Sequence, residues 1–377
     1  MKPFTWARWR GERVVLCGPL KLCWPIVAAF RAHPECPLFI CDDEFAHVPG
    51  VVEGATVIAS EELSAFHNDI AILVGKTFYQ RYRHFLSYEG MADFYSATPL
   101  IEDGRDKAVY YNRFAPRYRR EHAGLYFGGL EVVVTPRCTL HCRDCANLIQ
   151  YYTGPQDPSP ETVVAASKRL LQVIDGVAVF KILGGEPLLA QETIRGLLAL
   201  PELGLDGKAL GVQIPTNGTL LFDNETLAAL AANPLSCVIL SNYGKTSRKE
   251  EALKAQLREA GVAFAETDAG SYWVQMGDPR VPHVAPEHLA EHYRRCDMKD
   301  SCCTILNGAL YPCPRAAHGE ALGFYPPGAG RRVALLGPEE PEALRAALAE
   351  QYACQEPLVA CCACDNGTMI RVARGVQ

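Results

Sequence analysis

No apolar run in this 377-residue sequence is long enough to cross a bilayer. The opening stretch, MKPFTWARWRGER, carries charge but no apolar core followed by a small-residue cleavage site. No signal peptide is therefore expected, and a cytoplasmic location is. A basic excess is missing too. The net charge of −6 argues against broad nucleic-acid binding. The first strand-like run ends in GPLKLC, with the single glycine Gly18, and lacks the further glycines that let a backbone approach a pyrophosphate. Asp42 and Asp43 do follow the next strand, where a ribose-binding carboxylate would sit. A nucleotide role thus stays open beside a docking or structural one.

What the chain has in quantity is cysteine, with sixteen residues. In a reducing compartment clustered thiols bind metal or do chemistry more often than they form disulfides. Cys17, Cys23, Cys36, Cys41 and Cys237 lie scattered among apolar residues and read as small buried hydrophobes. The other eleven fall into three tight groups.

The chain is too long for one ordinary core, and 49% hydrophobic residues allow two or three domains a real interior each. Residues 12–75 alternate short apolar runs with a helical stretch: RVVLCG, PIVAAFRAH, PLFICDD, DIAILVG. This is a βαβ rhythm, which predicts a Rossmann-like α/β domain over 1–100. Residues 101–127 are polar, basic and aromatic, and read as a linker or as a lid for something anionic. From 131 the rhythm restarts. Strands are expected at EVVVTP, VAVFKILGGEPLL, LGVQIPTNGT, CVILSNYGK and VAFAETD, with helices at 160–175 and at 247–261, the second stopped by Gly261. Repeated β/α units over 128–285 predict a full or partial parallel barrel with its chemistry at the C-terminal strand ends.

The first strand of that barrel runs into CTLHCRDC, which sets Cys138, Cys142 and Cys145 in a CxxxCxxC loop. Zinc takes four ligands, and His141, adjacent to Cys142, is badly placed to be the fourth. A cubane iron–sulfur cluster fits three cysteines better, because its fourth iron can stay open for a ligand with an amine and a carboxylate. Three turns follow later strands: GGEP at 184–187, TNG at 216–218 and SNYG at 241–244. In this order, over about residues 128–280, the sequence resembles the radical S-adenosylmethionine (SAM) enzymes. One departure is Asp144, where many members carry an aromatic residue near the adenine.

The resemblance implies a SAM-binding [4Fe-4S] cluster on Cys138, Cys142 and Cys145. It implies SAM contacts from Gly184, Gly185, Glu186 and Pro187, from Thr216 and Asn217 at the floor, and from Ser241 toward the ribose. Bare backbone at Gly184 and Gly185 would let carbonyls accept from the SAM amine, and Glu186 would orient that end or brace the turn. TNG and SNYG also read as ordinary turn chemistry. It further implies reductive cleavage of SAM to methionine and a 5′-deoxyadenosyl radical, which removes a hydrogen atom from substrate.

Eight cysteines follow residue 295. TILNGALYP reads as a β-hairpin turning at Asn307-Gly308. Cys296, Gly308 and Cys313 resemble the opening of the auxiliary-cluster domains attached to many radical SAM enzymes. The long form (SPASM) continues with CxxCxxxxxCxxxC, which is absent, whereas the short form (Twitch) closes with a CxxC pair, as Cys361 and Cys364 do. A small Twitch-like module over 286–377 is therefore expected, with one auxiliary [4Fe-4S] cluster on Cys296, Cys313, Cys361 and Cys364. Cys302 or Cys303 are alternates to Cys296, and Cys354 and Cys362 are spare. A second auxiliary cluster or a structural zinc are the rival uses, and a spare thiol could return a hydrogen atom to a substrate radical.

Catalytic side chains beyond the cofactors are not identified. The candidates are Cys302, Cys303, Glu266, Asp268 and Tyr272, with Trp273 and Asp278 nearby and Lys245 and Arg315 as substrate anchors. Each also reads as packing, a solvated charge or an inert thiol. The expected architecture is thus a Rossmann-like domain, a partial (β/α)6 barrel and a small auxiliary module. The expected activity is a radical SAM oxidoreductase or isomerase acting on a small polar substrate, with sugars and nucleotide-linked compounds as the candidate kinds. Its reducing partner would be of the flavodoxin or ferredoxin kind. A peptide maturase is the alternative substrate class, and a non-catalytic iron–sulfur or zinc scaffold is the alternative of another kind.

Overall fold

The computed structural model describes residues 2–18, 20–43, 45–46, 52, 54–74, 94–96, 124–204, 207–233, 235–266, 273–296, 298–366, 370–373 and 375–377. The candidates Asp268 and Tyr272, and most of the linker expected at 101–127, lie outside the described residues. The chain divides into two compact units, Met1–Tyr110 and Tyr111–Gln377.

The first unit holds β1 (Lys2–Pro3), β2 (Val14–Cys17), α1 (Leu20–Phe30), β3 (Leu38–Cys41), β4 (Thr56–Ile58), β5 (Ile70–Leu73) and β6 (Phe94–Ser96). They form a six-stranded sheet in the order β1-β6-β5-β2-β3-β4. Every pairing in it is parallel. Val14, Val15, Leu16 and Cys17 have no exposed surface, as a central strand covered on both faces requires. Cys17, Cys23, Cys36 and Cys41 are all buried. The two aspartates have structural partners. Asp42 accepts the backbone N–H of Leu20 (2.6 Å) at the start of α1, where a negative charge offsets the helix dipole. Asp43 accepts the N–H (2.6 Å) and the hydroxyl (3.1 Å) of Ser60.

The second unit opens with β7 (Tyr126–Val133), α2 (Pro160–Val173), β8 (Gly176–Leu183), α3 (Gln191–Leu198), β9 (Ala209–Thr216), α4 (Asn224–Ala232), β10 (Ser236–Leu240), α5 (Glu250–Glu259) and β11 (Phe264–Glu266). Local chemistry sets the helix starts. Ser159 caps α2, accepting from the Thr162 N–H (3.2 Å) just ahead of Pro160, and Asp223 caps α4 (2.7 Å to the Thr226 N–H). Each such cap stabilises a helix by about 1 kcal/mol. Along α2, Val163, Ala166, Leu170, Leu171 and Val173 are buried at three- and four-residue spacing, the stripe that packs a helix on a sheet.

After a short β12 (Trp273–Val274) come α6 (Leu289–Arg295), α7 (Met298–Ser301), β13 (Cys303–Leu306), β14 (Ala309–Tyr311), α8 (Pro314–Ala321), β15 (Val333–Ala334), α9 (Pro341–Ala353) and β16 (Arg371–Val372). Asn307 (φ 49°) and Gly308 (φ 74°) turn β13 into β14, both left-handed as a two-residue hairpin demands. The hairpin joins the sheet of the second unit. β13 pairs parallel with β7, Cys303 opposite Leu130, giving the order β11-β10-β9-β8-β7-β13-β14-β15. Six adjacent strands, β11 through β13, are therefore parallel, the sixth contributed from beyond residue 300. β12 and β16 form a separate antiparallel pair.

Candidate active site

The first cysteine group sits where β7 ends. Thr135 meets Asp157 through its hydroxyl. Arg137 spans from Asp157 (Nε to Oδ1, 2.9 Å) to the carbonyl of Leu189 (2.9 Å). The loop is thus tied to the strand behind it and to the turn after β8.

That turn is GGEP, and it lies directly on the cysteine loop. Gly185 N–H donates to Thr135 O and Glu186 N–H to Arg137 O, both at 2.8 Å. A Cβ on Gly184 would stand 2.3 Å from Thr135 O. One on Gly185 would stand 2.2 Å from Arg137 O and 2.8 Å from the Cβ of Cys138. Both glycines are required by this contact. The Gly184 carbonyl accepts from Asn147 Nδ2 (3.3 Å). Pro187 is buried and begins a single 3-10 turn.

Glu186 is fully buried and joins this turn to the end of β9. Its carboxylate accepts from Thr216 Oγ1 (2.8 Å), Asn217 N (2.8 Å) and Leu188 N (3.2 Å). Burial pushes its carboxyl up to about 7, against the pull of those donors. Asn217 continues the chain of contacts, donating to Thr139 Oγ1 (3.0 Å) and toward Cys138 Sγ (3.7 Å). Thr216 and Asn217 thus brace Glu186 and the first cysteine. Ser241, half-buried at the end of β10, receives Ser247 Oγ on its carbonyl at 3.3 Å.

Each thiol of the loop has an N–H donor. Cys138 accepts from Leu140 N (3.4 Å), Cys142 from Gln377 Nε2 (3.3 Å), and Cys145 from the backbone at Asn147 and Ile149. Gln377 also accepts the His141 N–H (2.7 Å), and Val376 O accepts that of Arg143 (2.7 Å). Burial raises all three thiols, Cys138 to about 12. His141 is exposed.

The second group is Cys296, Cys313, Cys361 and Cys364, which line one cavity together with Arg315. Cys296 ends α6, Cys313 caps α8, Cys361 lies in the 3-10 segment Val359–Ala363 and Cys364 directly follows it. Here too each sulfur faces an N–H. Asn366 Nδ2 reaches Cys296 (3.4 Å), Ala316 N reaches Cys313 (3.5 Å), Leu358 N reaches Cys361 (3.4 Å), and the Asn366 backbone reaches Cys364. Four half-buried thiols, each with a donor and no carboxylate lining their cavity, are the surroundings an iron–sulfur cluster takes. Among the described residues, no three His, Cys, Asp or Glu side chains converge on a point that a single metal ion could occupy.

The remaining cysteines lie elsewhere. Cys302 Sγ is 3.9 Å from Lys181 Nζ, which pairs with Glu131 (3.2 Å) across β7 and β8. Burial pushes the Cys302 thiol up to about 12. Cys303 and Cys354 line a second, smaller cavity with Tyr293 and Lys299. The Cys362 carbonyl receives the N–H groups of His283 and Val284. Glu266 is ion-paired with Lys254 (3.0 Å) and Asp278 with Arg280 (2.6 Å). Lys245 is exposed, and Trp273 packs edge-on against Tyr243. Sequence reasoning passed over Asn366, Gln377, Tyr152 and His318. Only Asn366 carried a signal, its position two residues past Cys364.

Residues 132–261 match the family model of the Radical SAM superfamily. No curated protein matches the chain. Among solved structures, native anSMEcpe with bound AdoMet aligns at 17% identity and a TM-score of 0.41, covering 64% of this chain and 82% of that one. The same protein with bound AdoMet and Cp18Cys peptide aligns at 23% identity and a TM-score of 0.30, over 38% of this chain and 42% of that one. BtrN in complex with AdoMet and 2-DOIA aligns at 17% identity and a TM-score of 0.39, over 66% and 97%. Likenesses of this strength carry nothing about substrate.

Proposed function

We propose that this chain is a radical SAM enzyme with a Twitch-like auxiliary cluster. Cys138, Cys142 and Cys145 would hold three irons of one [4Fe-4S] cluster, and Cys296, Cys313, Cys361 and Cys364 would hold a second. The observation that carries the reading is the wiring of the CxxxCxxC loop. The GGEP turn packs on its backbone without room for a side chain, and Glu186 and Asn217 link that turn to Cys138. For the second group, the support is that Cys296, Cys313, Cys361 and Cys364 line one cavity, as the ligands of a cubane would.

When bound and reduced, such a cluster supplies the electron that cleaves SAM to methionine and a 5′-deoxyadenosyl radical, the agent that removes a hydrogen atom from substrate. The chain's own residues prepare the site. Asn217 and the Leu140 N–H aim donors at Cys138, and Gln377 aims one at Cys142. Glu186 holds the β8 and β9 turns together beneath them. Ser241, half-buried just past β10, would offer its hydroxyl to a ribose. The reading favours a small polar substrate over a peptide, because the first unit is a parallel α/β sheet and not the winged helix that peptide maturases commonly use for leader peptides. The test is anaerobic reconstitution with iron and sulfide, then SAM and dithionite. 5′-Deoxyadenosine is the expected product. A fully loaded chain that makes none favours a scaffold role.

A further inference from the structure

Arg315 is 1% exposed, the largest fully buried side chain described in the molecule. Only one of its guanidinium nitrogens is satisfied. Nη2 donates to Ala363 O (2.9 Å) and Gly277 O (3.1 Å). Nε and Nη1 are equally buried and donate to none of the described residues. A charge taken out of water with two N–H groups idle is costly unless an anion meets it.

The surroundings identify that anion. Arg315 lines the cavity formed by Cys296, Cys313, Cys361 and Cys364. The guanidinium also lies close enough to act electrostatically on Cys364 and, in the first group, on Cys145. Tyr325 adds a second idle donor, its hydroxyl buried without a partner and close enough to feel Cys313, Cys361 and Cys364. Asp278, paired with Arg280, lies near enough to feel the Arg315 charge, but no carboxylate lines the cavity itself, where the guanidinium meets the four thiols.

We propose that Arg315 is the internal counter-cation of the auxiliary cluster, donating from Nε and Nη1 to its sulfur atoms and raising its reduction potential. The inference rests on the reading that the four cysteines hold that cluster. Each electron the cluster accepts adds a negative charge, and a fixed cation at the cavity wall stabilises the reduced form more than the oxidised one. A lysine could supply the charge but not the planar fork of N–H groups.

The experiment separates the two claims. In a Cys138→Ala, Cys142→Ala, Cys145→Ala background only the auxiliary site can load, and iron and sulfide per chain are measured first. An unloaded chain overturns the cluster reading and this proposal with it. In a loaded chain, Arg315→Gln is expected to shift the half-reduction point, followed by EPR against poised potential, at least tenfold toward the oxidised form, about 59 mV for one electron. Arg315→Lys should recover most of the shift. A glutamine variant that loads and titrates like its parent overturns the proposal. Should that variant fail to fold, the background chain with Arg315 intact is labelled with 15N-arginine. Hyperfine coupling between 15N and the reduced cluster is then expected, and its absence counts against Arg315 as decisively.

Discussion

Glu186 accepts the backbone N–H of Asn217 at 2.8 Å while exposing no surface, so the turns after β8 and β9 are held by one carboxylate. All three of its partners are donors. Glu186→Gln would turn an amide NH2 onto one of them and leave a buried donor facing a donor. The expected loss is about 1–3 kcal/mol in the urea unfolding of the metal-free chain.

Gly185→Ala tests the contact between turn and cysteine loop. The new Cβ must displace Arg137 O or Cys138, neither of which is the end of a flexible side chain. A stability loss of about 1–3 kcal/mol is expected. Iron incorporation should drop with it, while Gly154→Ala, at an open position, should load normally although its left-handed backbone costs about 1–2 kcal/mol.

His318 gives a pH dependence with a definite sign. It is fully buried, its Nδ1 is 2.8 Å from the Tyr152 hydroxyl, and burial holds its imidazole down to about 3. The unfolded value is about 6.5. The folded state resists protonation, so this contribution is complete above about pH 6.5 and drains away as pH falls toward 3. By linkage, roughly 2 kcal/mol should be gone at pH 5. Urea midpoints at pH 7.5 and pH 5 measure it, and His318→Asn should flatten that part of the profile.

The Gln377 contact predicts a redox effect. Its Nε2 is the side-chain donor to Cys142. Gln377→Glu removes the N–H and places a carboxylate against that sulfur. The cluster on the first loop should then reduce at a more negative potential, read by EPR-monitored titration. Gln377→Ala should fall between the two.

What could be read in advance follows from range. The cysteine loop, the GGEP and TNG turns and the Asn307-Gly308 hairpin are each spelled by a few adjacent residues, and the β/α rhythm by runs of six or more. β4, β6, β12 and β16 have two or three residues each, too few for a pattern. The pairing of β13 with β7 joins positions more than 170 residues apart, and nothing local to Cys303 or Leu130 announces it. Asp42 and Asp43 stood where a ribose ligand would, yet a helix start and Ser60 take them. Arg315 was legible only as a charge, because arginine is rarely buried and its burial here is a property of the cavity.

The parallel bond between β13 and β7 also limits how the molecule can be dissected. A fragment severed at residue 285 keeps β7 but strips its neighbour, baring a row of unsatisfied amides on the very strand that delivers Cys138. Exposed borders of that kind recruit other chains. Residues 111–285 made alone should therefore self-associate in sedimentation experiments where 111–377 stays monodisperse, and the thiols that look like an appendage in the sequence are stitched into the ladder that supports the first loop.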